Sequence, residues 1–156
     1  MKDLSILDSL ITGRVEPHIY AFTTNTIPNY LKVGDTYRPV SKRLREWREH
    51  FPNLEQKFEG SAKSTDDVYF RDFAVHYFLE SEKRRVRLKA SDLSEGGYYS
   101  KEFFREATVD DVEEAIADIH EDYNSKSGKY HYYDSKTQLP TTEKYASTGM
   151  WFPRPN

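Results

Sequence analysis

The sequence predicts a small α+β domain, a mostly antiparallel sheet with a three-stranded core flanked by helices. Three observations carry this reading. Two β-branched and aromatic runs, "HIYAFTT" (18–24) and "YLKVG" (30–34), flank the turn-forming "NTIPN" (25–29), the pattern of a hairpin. Stretches with helical apolar spacing follow it. With 37% apolar and 15% aromatic residues, the 156-residue chain can bury one core without staples.

The elements follow in chain order. "KDLSILDSLI" (2–11) has apolar residues at 4, 7 and 11 and reads as a short amphipathic helix ending near Gly13, so 1–16 is an N-terminal helical extension. After the hairpin, Pro39 suits a first helical turn. Val40, Leu44, Trp47 and Phe51 then form one apolar stripe that Pro52 ends. "LEQKFEGSAK" (54–63) alternates weakly and is a candidate third strand. Ser64 to Asp67 offer N-caps for an apolar helix over "VYFRDFAVHYFLESE" (68–82). "RRVRL" (84–88) is a strand or turn, and a polar loop with Gly96-Gly97 leads into "YYSKEFF" (98–104). Thr108 and Asp111 spell a capping box for a last helix with Val112, Ile116, Ile119 and Tyr123 on one face. Beyond Tyr123 the chain is turn-rich, Tyr-dotted and without period. The domain is therefore placed at 17–126, with 127–156 as an extension or linker.

Composition narrows the chemistry. The chain has no cysteine, which excludes disulfides, thiolate metal sites and a Cys nucleophile. No apolar run reaches membrane-spanning length and no signal-peptide pattern opens the chain, so a cytoplasmic protein without a membrane partner is expected. The net charge of −3 gives no global pull towards nucleic acid, yet "KRLREWR" (42–48) and "KRRVRLK" (83–89) are local basic clusters. The five His residues are scattered, without zinc spacing, and neither a Ser-centred elbow nor a phosphate-cradling Gly-rich loop is present.

Several residues admit a functional and a plainer reading. Tyr20 is a buried strand tyrosine or a phenol beside a reacting group. Lys32 is a solvent-facing strand residue, or, on the same sheet face, a cation beside Tyr20. Gly34 permits a turn or a close backbone approach to phosphate. Arg43 borders the stripe of Leu44 and Trp47, where it either pairs with Glu46 or aims a two-pronged guanidinium at a phosphate. Arg38 and Arg45 are further basic candidates. Asp72 and His76 share a face of an apolar helix, as a polar patch or as a cation site. Glu102 in "SKEFF" is a local cap or a rival carboxylate.

The ordered set "IY" (19–20), "KVG" (32–34), "KRL" (42–44), "FRDFAVHYFL" (70–79) and "SKEFF" (100–104) resembles the GIY-YIG nuclease superfamily, in the branch whose second motif reads "KIG" followed by Thr and Arg. The resemblance covers about residues 17 to 123. His18 stands where the first Gly would be, Lys32 replaces the second Tyr, Val33 replaces Ile, and Asp72 stands where related chains present Glu.

The resemblance implies a metal-dependent DNA endonuclease from a restriction, phage or mobile-element setting. Tyr20 would activate or orient water, with Lys32 supplying the positive charge that a phenol of ordinary pKa near ~10 needs. Arg43 would hold the scissile phosphate and His76 would join the catalytic group. Asp72, or else Glu102, would carry Mg²⁺ (or Mn²⁺), which favours carboxylates, waters and phosphate oxygens. Gly34, Arg38, Arg45, Arg84 and Arg85 would line the DNA backbone. The closing "TGMWFPRPN" resembles the approach to a superfamily 2 helicase core, so a fused or associated helicase is an expected partner. The alternative is a catalytically inactive nucleic-acid-binding or regulatory module of a larger DNA-processing protein.

Overall fold

The structure, a computed structural model, describes residues 15–89 and 101–141. The helix expected at 2–11 and the helicase-like tail segment lie outside the described residues.

The hairpin forms as the alternation requires. Strand β1 (His18–Thr23) pairs antiparallel with β2 (Tyr30–Thr36), setting Tyr20 opposite Gly34, Ala21 opposite Val33 and Phe22 opposite Lys32. Strand β3 (Glu55–Ser61) adds to the other side of β1, with a bulge between Ala21 and Phe22. The expected three strands gain a fourth, because Phe103–Arg105 pairs with β2 as strand β5. The sheet order is β3-β1-β2-β5. A three-residue strand has no period to read, which is why "SKEFF" does not announce it.

Period-two alternation then sorts the core into two layers. Ile19, Ala21, Leu31, Val33 and Phe104 face one way, and Tyr20, Phe22 and Phe103 face the other. Helix α1 (Val40–Trp47) covers the second face through Val40, Leu44 and Trp47, with Phe51 just beyond, as the apolar stripe predicts. Helices α2 (Asp72–Ser81) and α3 (Val109–Ser125) cover the first. Each fully buried aromatic or aliphatic side chain in these layers contributes about 1.5–3 kcal/mol. The α3 capping box is present in both directions, Asp111 N–H to Thr108 Oγ1 at 3.1 Å and Thr108 N–H to Asp111 Oδ2 at 3.0 Å.

One boundary and one cap differ from the sequence reading. Helix α2 starts at Asp72 rather than at 68, because Val68–Tyr69 forms strand β4 against β6 (Tyr133–Asp134). Its N-terminus is capped by neither Ser64 nor its neighbours but by Asp35 of β2, whose Oδ2 accepts the Asp72 N–H at 2.9 Å.

As far as it is described, the segment after 126 packs back onto the domain. Lys126, at φ 59, ends α3 in the left-handed conformation and turns the chain back. Asp122 then accepts from the N–H of Lys129 and Tyr130 and from the Tyr132 hydroxyl, and Tyr130, Tyr132 and Tyr133 are buried. No helix among the described residues is long and apolar enough to cross a membrane.

Candidate functional site

The hairpin register decides which residues meet. Tyr20, Phe22, Lys32 and Gly34 share the α1-facing side of the sheet, so the Tyr20 ring and the Lys32 stem lie side by side under α1. Tyr20 is 1% exposed and Lys32 0%. The Tyr20 hydroxyl accepts from Lys32 Nζ at 3.1 Å and from Trp47 Nε1 at 2.8 Å. A phenol has two acceptor lone pairs and one proton. With both lone pairs taken, its own O–H is left to donate to a third group.

A buried ammonium must be compensated. Lys32 Nζ is paired with Glu102 Oε1 and lies 4.2 Å from the Trp47 ring centroid and 4.9 Å from that of Tyr20. Glu102 thus compensates Lys32 through one of its two carboxylate oxygens. Gly34 is fixed by the same crowding. A Cβ there would stand 2.6 Å from Lys32 Nζ and 2.7 Å from the Tyr20 oxygen, both impossible contacts. The turn explanation for this glycine falls away, since it sits inside β2.

Arg43 lies one turn before Trp47 and stacks on it, Cζ 4.9 Å from the ring centroid. Burial opposes its charge, but the Tyr20 hydroxyl and the Glu46 carboxylate outweigh this and hold it above its ordinary pKa. Guanidinium and phenol therefore converge on one side of the hairpin. Glu46 accepts from Arg43 Nη1 at 2.9 Å and from both terminal nitrogens of Arg38 at 2.5 Å. The Arg38 bonds first, then Arg43, bring its pKa down to about 2.

The carboxylates cluster at the start of α2. Asp35 Oδ2 accepts from Arg71 Nε at 2.7 Å as well as from the Asp72 backbone. Asp72 is buried, and its carboxylate accepts no hydrogen bond among the described residues. Burial raises its pKa well above the ordinary range, and the neighbouring negative charges of Asp35 and Glu102 raise it further. Among the described residues no group of three or more His, Asp or Glu is arranged to hold a metal ion by itself. Asp72 is thus a single buried carboxylate, with Arg71 and Lys32 partly offsetting the charges of Asp35 and Glu102 around it.

His76 does not join this group as expected. Its Nε2 donates to the Val33 carbonyl at 2.8 Å, its ring packs 5.0 Å from Phe104, and burial pushes its pKa down to about 4. It is a neutral core histidine that fastens α2 to β2.

The outer basic residues divide. Arg45 and Arg84 are exposed, whereas Arg85 is paired with Asp111 at 2.9 Å and Lys83 with Glu114 at 2.8 Å. The 83–89 cluster is thus partly neutralised by the acidic face of α3. Trp47, Asp35, Glu46 and Arg71 are not among the sequence-derived site residues. Trp47 reads as one more apolar stripe position, and only the 2.8 Å bond reveals its donor role. Compared with protein-family models, with curated proteins and with solved structures, the chain matches none.

Proposed function

We propose that the chain is a metal-dependent DNA endonuclease domain of the GIY-YIG type. The observation that carries it is the convergence of Tyr20 and Lys32 over Gly34, whose missing side chain makes their room, with Arg43 beside the Tyr20 hydroxyl. Hydrolysis joins a water oxygen to phosphorus and releases a sugar oxygen, while negative charge builds on the phosphoryl oxygens. The Tyr20 O–H orients the water or a phosphoryl oxygen, and Lys32, locked by Glu102, keeps positive charge behind it. Arg43 exchanges its single bond to Glu46 for a phosphate, and Glu46 retains Arg38. Asp72 is the residue suited to hold Mg²⁺ or Mn²⁺, which when bound supplies neutralising charge at the phosphate. His76 serves by fixing the helix that carries Asp72.

The test is nicking of supercoiled plasmid with Mg²⁺ or Mn²⁺. Metal-dependent nicking that Arg43→Ala slows about 10²–10³-fold is the expected result. A second reading has its own observation: Lys32, Glu102, Arg43 and Arg38 all have internal partners, as a pure binding module would arrange them. Salt-sensitive DNA binding with no nicking in either metal would decide for that module.

A further inference from the structure

The returning segment after α3 packs against α2 and leaves a cavity of about 220 Å³ between them. Its lining includes Phe73 and Tyr77 of α2, Tyr130 and Tyr133 of the return, and the cations Arg71 and Lys129. It contains no residue of α1 and is separate from the Tyr20, Lys32 and Arg43 cluster. Tyr77 is 52% exposed, an unusual state for so large a ring, and meets Tyr130 edge-on at 6.0 Å and 84°.

Arg71 supplies the second half of the chemistry. Its Cζ lies 5.3 Å from the Phe73 ring centroid, its Nε is taken by Asp35, and its terminal nitrogens make no hydrogen bond among the described residues. The side chain is 31% exposed. Lys129 contributes less, because Asp118 holds it at 2.8 Å and Glu82 at 3.5 Å. A stacked guanidinium with an open fork is suited to a phosphate, and aromatic walls are suited to a flat π-face. Inorganic phosphate would leave those walls wet, and a neutral aromatic would leave the fork unused. A nucleobase joined to a phosphate uses both. Pockets that engulf drug-sized ligands hold about 300–1,000 Å³, so this one takes a single base. The base must be unpaired, because a duplex keeps its π-faces stacked.

We propose that this cavity binds one unpaired nucleotide of a nucleic-acid strand, the base against Tyr77 and Phe73 and the phosphate on Arg71. The proposal rests on the reading of the chain as a nucleic-acid protein, but not on cleavage. Arg71 adjoins Asp72 in the chain and shares Asp35 with it, so a strand anchored here continues towards the candidate cleavage site.

The test is fluorescence anisotropy in EDTA, where no cleavage intervenes, with a labelled oligo-dT of about ten nucleotides, a length within usual single-strand site sizes. The same strand paired with oligo-dA and thymidine monophosphate as competitor complete the set. Expected are tighter binding of the single strand than of the duplex, a loss of about 5–100-fold in Tyr77→Ala, retention in Tyr77→Phe, and a loss in Arg71→Lys. Tyr77 is exposed, so its replacement leaves the core intact, and a thermal melt verifies this. Unchanged affinity in both Tyr77→Ala and Arg71→Lys, or equal affinity for duplex, overturns the proposal. Binding of the mononucleotide without binding of the strand overturns the assignment to a strand. Absence of plasmid nicking touches neither result.

Discussion

Gly34 and Asp72 show how far single residues constrain this site. Adding a methyl at Gly34 forces Lys32 Nζ or the Tyr20 oxygen to move, since the new atom would sit within 2.7 Å of both. Gly34→Ala is expected to cost about 1–3 kcal/mol in urea unfolding. A displaced phenol should also slow nicking about 10²-fold. Asp72 gives the opposite sign on stability. Its carboxylate is buried beside Asp35 and Glu102, so neutralising it removes a penalty. Asp72→Asn is expected to raise the melting temperature by about 2–8 °C while abolishing metal-dependent nicking, the trade that function imposes on a site. A variant both less stable and fully active would mean that Asp72 is structural. At this scale the sequence was informative where alternation and spacing act directly. Tyr20, Lys32 and Arg43 meet because a period of two and a period of 3.6 put them on facing surfaces. The partnership of Glu102 with Lys32 joins residues 70 positions apart, and no local pattern encodes it.

Among the elements, α2 depends on two polar fastenings to β2, Asp35 at its start and His76 at its middle. His76 has a folded pKa of about 4 against 6.5 unfolded, lowered chiefly by burial. The unfolded chain therefore binds the extra proton between these values. The contribution of His76 is complete above about pH 6.5 and is lost as pH falls to about 4, on the order of 3 kcal/mol. Asp72, raised, works in the reverse direction, so its penalty is relieved on acidification. Urea melts of wild type and His76→Gln across this range should converge at low pH and separate above pH 6.5. Parallel curves would count against this role. Sequence alone starts α2 too early because Val68 and Tyr69 continue its apolar composition. Only their pairing with Tyr133 and Asp134 makes them a strand.

For the molecule as a whole, the α+β class and both core layers follow from hydrophobic period, while the closure by residues 127–141 does not. That closure depends on Asp122, which gathers Lys129, Tyr130 and Tyr132 through specific bonds rather than through any repeat. Asp122→Ala is expected to cost on the order of 3 kcal/mol and to expose the segment after 126 to proteolysis, read by urea unfolding and by limited digestion. A composition rich in Tyr and turn residues resembles a linker until its rings are seen buried.

If Tyr20 and Arg43 act on one phosphate, as proposed, a double-variant rate comparison shows it most directly. Metal-dependent nicking rates would be measured for the wild type, Tyr20→Phe, Arg43→Ala and the two changes combined. Groups that act as a unit are strongly non-additive. The combined variant should therefore be barely slower than the slower single one. A combined loss equal to the product of the two single losses, or wild-type protein that nicks no plasmid with either metal, would contradict the account.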